Sequence, residues 1–190
     1  MDANAPKWSE ISSQFSAGAD TLWRPEMTIE PVPAPARLAT HTAAALADLY
    51  EGDNALAEGK LVVLFEPTYQ PEWDGNTRLV GFIKAELETE LVTDSLLLEV
   101  GWSWVTDSFA ERGLHPVALS GTVSRTGNQS FGDISSRPPT GAIELRSSWT
   151  VPGGESVTDH FGAWIDLLAA AGGLPPLPSG VGVLPRRKHE

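Results

Sequence analysis

The chain has 190 residues, 41% of them hydrophobic, which suits one domain with a sizeable core and is too apolar for a disordered chain. It contains no cysteine, which excludes disulfides, thiolate catalysis and cysteine-based metal sites. The formal charge of −12, from 13 Lys and Arg against 25 Asp and Glu, opposes binding to a phosphate backbone, so no nucleic-acid partner is expected.

Met1 to Ser16 carries an acid at Asp2, no basic opening and no apolar run, so it does not read as a secretion signal. No stretch approaches roughly eighteen consecutive apolar residues, so no membrane partner is expected and the compartment is read as cytoplasmic. Residues 1–34 read as an extended N-terminal arm. Pro25, Pro31, Pro33 and Pro35 favour a polyproline-like path, and Trp23 and Met27 are candidates to pin the arm to the body.

A single α+β domain is predicted over residues 35–173. Pro35 suits a first helical turn, and Ala43, Leu46, Ala47 and Tyr50 recur at helical spacing before Gly52, which predicts a helix. Leu61 to Phe65 is a short continuous apolar run closed by Pro67, which predicts a buried strand. A second strand follows from Thr77 to about Leu87, with Leu79, Gly81, Ile83, Ala85 and Leu87 on one face and Val80, Phe82, Lys84 and Glu86 on the other. The two are expected to pair as a hairpin.

Thr93, Asp94 and Ser95 offer capping oxygens to a second helix, whose stripe is Leu98, Trp102, Val105 and Phe109, widened by Trp104 and ended by Arg112-Gly113. Val117, Leu119, Gly121 and Val123 alternate as a third strand. A loop of Gly, Ser and Pro follows, with room for a short strand at Ser130-Phe131. Ile143, Leu145, Ser147 and Trp149 alternate with polar residues as a fourth strand. Ser156 and Asp159 open a last helix with Val157, Phe161, Trp164, Ile165 and Leu168 on its apolar face, and Gly172-Gly173 ends it. Residues 174–190 form a Pro-rich tail finishing in Arg186-Arg187-Lys188.

The expected order is therefore α-ββ-α-ββ-α: a two-layer, mostly antiparallel sheet with helices packed on one face. That order resembles the type III secretion chaperone-like fold, whose members mostly bind other proteins; the likeness is one of architecture.

Functional signals are sparse. His41, His115, His160 and His189 show no i, i+4 pairing and no His-Glu motif, so no metal ligand set is predicted. Glu86, Glu88 and Glu90 alternate before Asp94, yet lack the turn glycine and carbonyls of a Ca²⁺ loop, so they read as a solvated strand end. Glycine-rich phosphate loops and the Gly-x-Ser-x-Gly elbow are absent, so no catalytic residue and no cofactor is assigned. The one polar group of interest is Ser120 and Thr122 with Arg125 on one strand and Arg146 on another, a candidate anion-binding patch.

Charge is unevenly placed: Leu38 to His115 holds 14 acids and 4 bases, whereas Pro116 to Glu190 holds 6 of each. The leading expectation is a non-enzymatic binding or adaptor domain whose acidic half faces a basic protein surface. The alternative is a small-anion enzyme or sensor using Arg125 and Arg146.

Glu99-Val100-Gly101-Trp102-Ser103-Trp104, Ser120-Gly121-Thr122-Val123-Ser124-Arg125, Glu144-Leu145-Arg146-Ser147-Ser148-Trp149 and Gly173-Leu174-Pro175-Pro176-Leu177-Pro178 with Leu184-Pro185-Arg186-Arg187 occur in this order. Together they resemble the actinobacterial domain of unknown function 3000 family, over about residues 24–188. The resemblance implies a small intracellular protein and carries over no catalytic or binding residue.

Overall fold

A computed structural model describes residues 7–177. Six strands form one antiparallel sheet in the order β1-β2-β3-β4-β6-β5. They are β1 (Met27–Val32), β2 (His41–Glu51), β3 (Asn54–Gln70), β4 (Gly75–Leu87), β5 (Val117–Asn128) and β6 (Thr140–Thr150). The long helices α1 (Trp8–Asp20), α3 (Leu97–Ala110) and α4 (Val157–Ala171) pack on one face, and the single turn α2 (Thr89–Val92) lies beside the start of β6. The α+β class and the antiparallel sheet with helices on one face are as expected.

From β3 onward, the four main strands and the two long helices predicted are present. Leu79, Ile83 and Ala85 on β4 point into the core, as do Ile143, Leu145 and Trp149 on β6. Val105, Leu145 and Ile165 meet in one shared interior. The two hairpins join through β4 and β6, which pair from Arg78 with Thr150 to Leu87 with Gly141.

The first third differs from the sequence expectation. Residues 41–51 form strand β2, not a helix. Ala43, Leu46, Ala47 and Tyr50 match a helical period, but Ala43, Ala45, Ala47 and Leu49 match a strand period equally well. Alanine favours helix by intrinsic propensity; here tertiary packing overrides it. Small side chains on this strand let α1 and the end of α4 lie close, with Ala45 and Leu49 fully buried. Gly52, at φ +63°, turns the hairpin into β3 where a helix stop was expected.

The described part of the arm, residues 7–34, carries regular structure too. Residues 8–20 are α1, with Phe15 edge-on to Phe161 of α4 at 5.3 Å, and 27–32 are edge strand β1. Met27 is buried, and Trp23 packs against the core and donates its indole N–H to Gly18 at 2.8 Å, so these two do pin the segment. Ser130-Phe131 is not a strand; β5 ends at Asn128 and a 3-10 turn covers Gly132–Ile134. Of the tail, residues 178–190, with Arg186, Arg187 and Lys188, lie outside the described residues.

Two indoles fix the centre of the molecule. Trp164 of α4 lies across Gly59 and Gly81, where added Cβ atoms would meet its ring at 2.7 and 3.1 Å. Trp149 rises from β6 beside it, and both are almost fully buried. Truncating either to alanine would cost about 3–5 kcal/mol. No helix among the described residues is long and apolar enough to cross a membrane.

Candidate functional site

Helices α3 and α4 run side by side over the sheet, and a groove of about 650 Å³ opens between their outer flanks. Trp23-Arg24 closes one side and Leu174 to Leu177 another. Trp104 and Asp107 of α3 and Glu111 at its C-terminal cap enter it at i, i+3 and i+7, so one flank presents an indole and two carboxylates.

The groove's two cations are already engaged. Arg112 donates from Nε to Asp166 Oδ2 at 2.5 Å and lies 5.1 Å from the centre of the Trp23 ring. Gly162 permits that stack, since an added Cβ would meet Trp23 at 2.8 Å. Arg24 is only 5% exposed; it donates to the Pro175 carbonyl at 2.9 Å and sits 3.6 Å from Glu26. Asp107 and Glu111 are exposed and have no ion pair or side-chain hydrogen bond among the described residues. The groove thus keeps its free charge negative and places it next to an aromatic face, the arrangement that attracts a guanidinium or ammonium group.

A second constellation lies at the other end of α4. The Trp149 indole N–H donates to His160 Nδ1 at 3.1 Å, and His160 Nε2 lies 2.8 Å from Glu155 Oε2. An indole can only donate, so Nδ1 accepts and Nε2 carries the proton given to Glu155. Glu155 Oε1 is 3.1 Å from Nδ1 of His115, and its carboxylate also accepts the His115 backbone N–H at 3.0 Å. The chain runs from a side chain 84% exposed, His115, to one fully buried, His160. Burial pushes His160 below the ordinary imidazole value, against the opposing hydrogen bond and charge of Glu155 and the charge of Asp159. Burial acts to raise Glu155, but the hydrogen bonds from His115 and His160 outweigh it and hold the carboxyl below its ordinary value. Spacings of 115, 155 and 160 form no local motif, so sequence inspection had no signal for this chain. No nucleophilic side chain bonds to it among the described residues.

The candidate anion patch is divided by strand parity. Ser120, Thr122 and Arg146 share the open face of the sheet, with Thr122 directly across from Arg146 and Ser120 across from Ser148. Arg125 pairs with Ile143, projects to the helix side and donates to the Asp94 carbonyl. The two arginines therefore do not meet. Arg146 instead pairs with Glu144 at 3.1 Å and lies 5.5 Å from the Phe82 ring. The cation that does join Ser120 is one the sequence reading did not select: Arg78 donates to Ser148 Oγ at 2.7 Å, and Ser148 lies 3.4 Å from Ser120 Oγ. No group of three or more His, Cys, Asp or Glu side chains among the described residues is placed to hold a metal.

The family whose description reads protein of unknown function, DUF3000, matches residues 7–182. The chain belongs to that family. The match takes in α1 and β1 along with the α3–α4 groove, so the DUF3000 unit includes the segment read from sequence as an arm. No curated protein and no solved structure matches the chain.

Proposed function

We propose that this DUF3000 protein is a cytoplasmic, non-enzymatic binding domain that docks a basic segment of a partner protein in the α3–α4 groove. The observation that carries the reading is the charge state of the groove: Arg24 and Arg112 pair with acids within the fold, while Asp107 and Glu111, beside Trp104, pair with no cation among the described residues. Both carboxylates belong to the acid-rich half of the chain. A partner arginine stacked on Trp104 and paired with one carboxylate gains a cation–π contact of about 0.5–2 kcal/mol and a charge-assisted hydrogen bond. Calorimetric titration with an octa-arginine peptide tests it. Binding is expected to weaken with added salt and to fall at least tenfold in Asp107→Asn/Glu111→Gln; binding indifferent to that double substitution refutes the reading.

A second reading, a small-anion enzyme or sensor, draws on Arg146, Arg78, Ser120 and Thr122 sharing the open sheet face. A thermal-shift screen with phosphates, nucleotides and carboxylates separates the two. Stabilisation lost in Arg146→Gln favours the anion reading, and a flat response favours the groove.

A further inference from the structure

The two edges of the sheet are unlike. Edge β1 is six residues long and contains Glu30 and Pro31, and the chain leaving it folds back so that Val32, Ala34 and Ala39 cover Ala44, Val62 and Leu64. These features block strand addition. Edge β5 has none of them. A bulge near Ala118 twists only its first residues, and from Ser120 to Asn128 it pairs regularly with β6, with no strand on its other side among the described residues. Those residues include no proline, no acid and one charge, Arg125. Beside this edge, α3 shows an apolar flank. Leu98 is 37% exposed, and the half-buried Trp102 lies so close over β5 that a Cβ at Gly121 would meet its ring at 2.8 Å.

The geometry points to a second copy of this chain pairing antiparallel along β5, joining two six-stranded sheets into one and covering Leu98 and Trp102 from both copies. This surface is separate from the groove, which opens on the opposite flank of α3. With the two-fold axis at Val123, Thr122 faces Ser124 of the second copy and Arg125 faces Gly121, so no like charges are opposed. The free edge spans about 30 Å, and a sheet plus one helix layer is about 20 Å deep. The contact then buries roughly 1,200 Å² in total, within the range of stable interfaces. Each copy carries −12, so long-range repulsion acts against pairing, and salt that screens it strengthens the dimer. This is opposite in sign to the salt response of a basic ligand in the groove.

Sedimentation equilibrium of the full chain tests the proposal. The expected mass is twice 20.3 kDa, with the dissociation constant falling several-fold from about 50 to about 500 mM salt. The double substitution Ser124→Lys/Thr126→Lys places two ammonium groups on the exposed side of the edge. The one at position 124 faces Glu144 within its own sheet, so the fold is retained and the dimer is lost. Leu98→Glu on α3 is expected to weaken the dimer at least tenfold. A monomer at every concentration, or a dimer as tight in the double-lysine variant as in the parent, overturns the assignment.

Discussion

Replacing His160 by glutamine tests the buried chain through the pH dependence of stability. In the folded protein the ring is neutral: Nδ1 accepts from Trp149, Nε2 donates to Glu155, and burial holds the pKa below the ordinary 6.5. Protonation would place a second hydrogen against the Trp149 N–H in a fully buried site. The unfolded chain therefore binds a proton that the native state refuses. Its stabilising contribution is complete above pH 6.5 and is lost as pH falls from there toward the lower folded pKa. One proton sets a limit of about 1.4 kcal/mol per pH unit, or about 3–6 °C in Tm for a domain of this size. Urea melts of parent and His160→Gln near pH 7.5 and 5.5 give the comparison. The parent should lose up to about 1.4 kcal/mol more than the variant over that interval, although the variant starts lower because its bonds to Trp149 and Glu155 are altered. Equal pH slopes would show that His160 titrates alike folded and unfolded, and the reasoning from burial would fail.

Other consequences follow from the same contacts. Trp149→Phe removes the only donor to His160 Nδ1 among the described residues and should cost about 1–3 kcal/mol beyond the lost ring volume, read by denaturant melts. Trp164→Phe, whose Nε1 has no partner among the described residues, should lack that extra cost; an equal loss for both would contradict the assignment. Gly101→Val forces new atoms against Ile143 and Val123, where even a Cβ lies at 2.9 and 3.0 Å, and should destabilise by about 1–3 kcal/mol with α3 pushed off the sheet. Ser156→Ala removes the oxygen that accepts from Thr158 N–H at 3.1 Å and should cost about 1 kcal/mol, measurable as a lowered Tm.

The parts of the fold legible in sequence are those with one consistent period and matching end signals. Strand β6 alternates cleanly because one face meets α3 and the other is turned away from the helices. Helix α4 carries a capping serine, and Ser156 does cap it. Strand β2 reads as a helix because alanine gives weak contrast between periods of two and 3.6, and only its neighbours decide which applies. Helix α1 lies in a segment whose prolines begin after it ends, so the proline content at 25–35 says nothing about residues 8–20. The anion patch fails on parity: Arg125 follows Val123 to the helix side, as its step along the strand requires, and Arg146 cannot reach it. The groove is not legible at all. Trp23 and Arg24 come from one end of the chain, Trp104 to Arg112 from the middle and Leu174 to Leu177 from the other end, and only the tertiary fold brings them together.

The most direct test of the binding account is the set of indole N–H signals in a proton–nitrogen spectrum, seven from seven tryptophans. Titration with octa-arginine should shift Trp104 first, with a smaller response at Trp23 behind Arg112, and leave Trp102 on the far flank of α3 unmoved. Shifts centred on Trp102 or Trp73, with Trp104 silent, would place any basic ligand elsewhere and contradict the account.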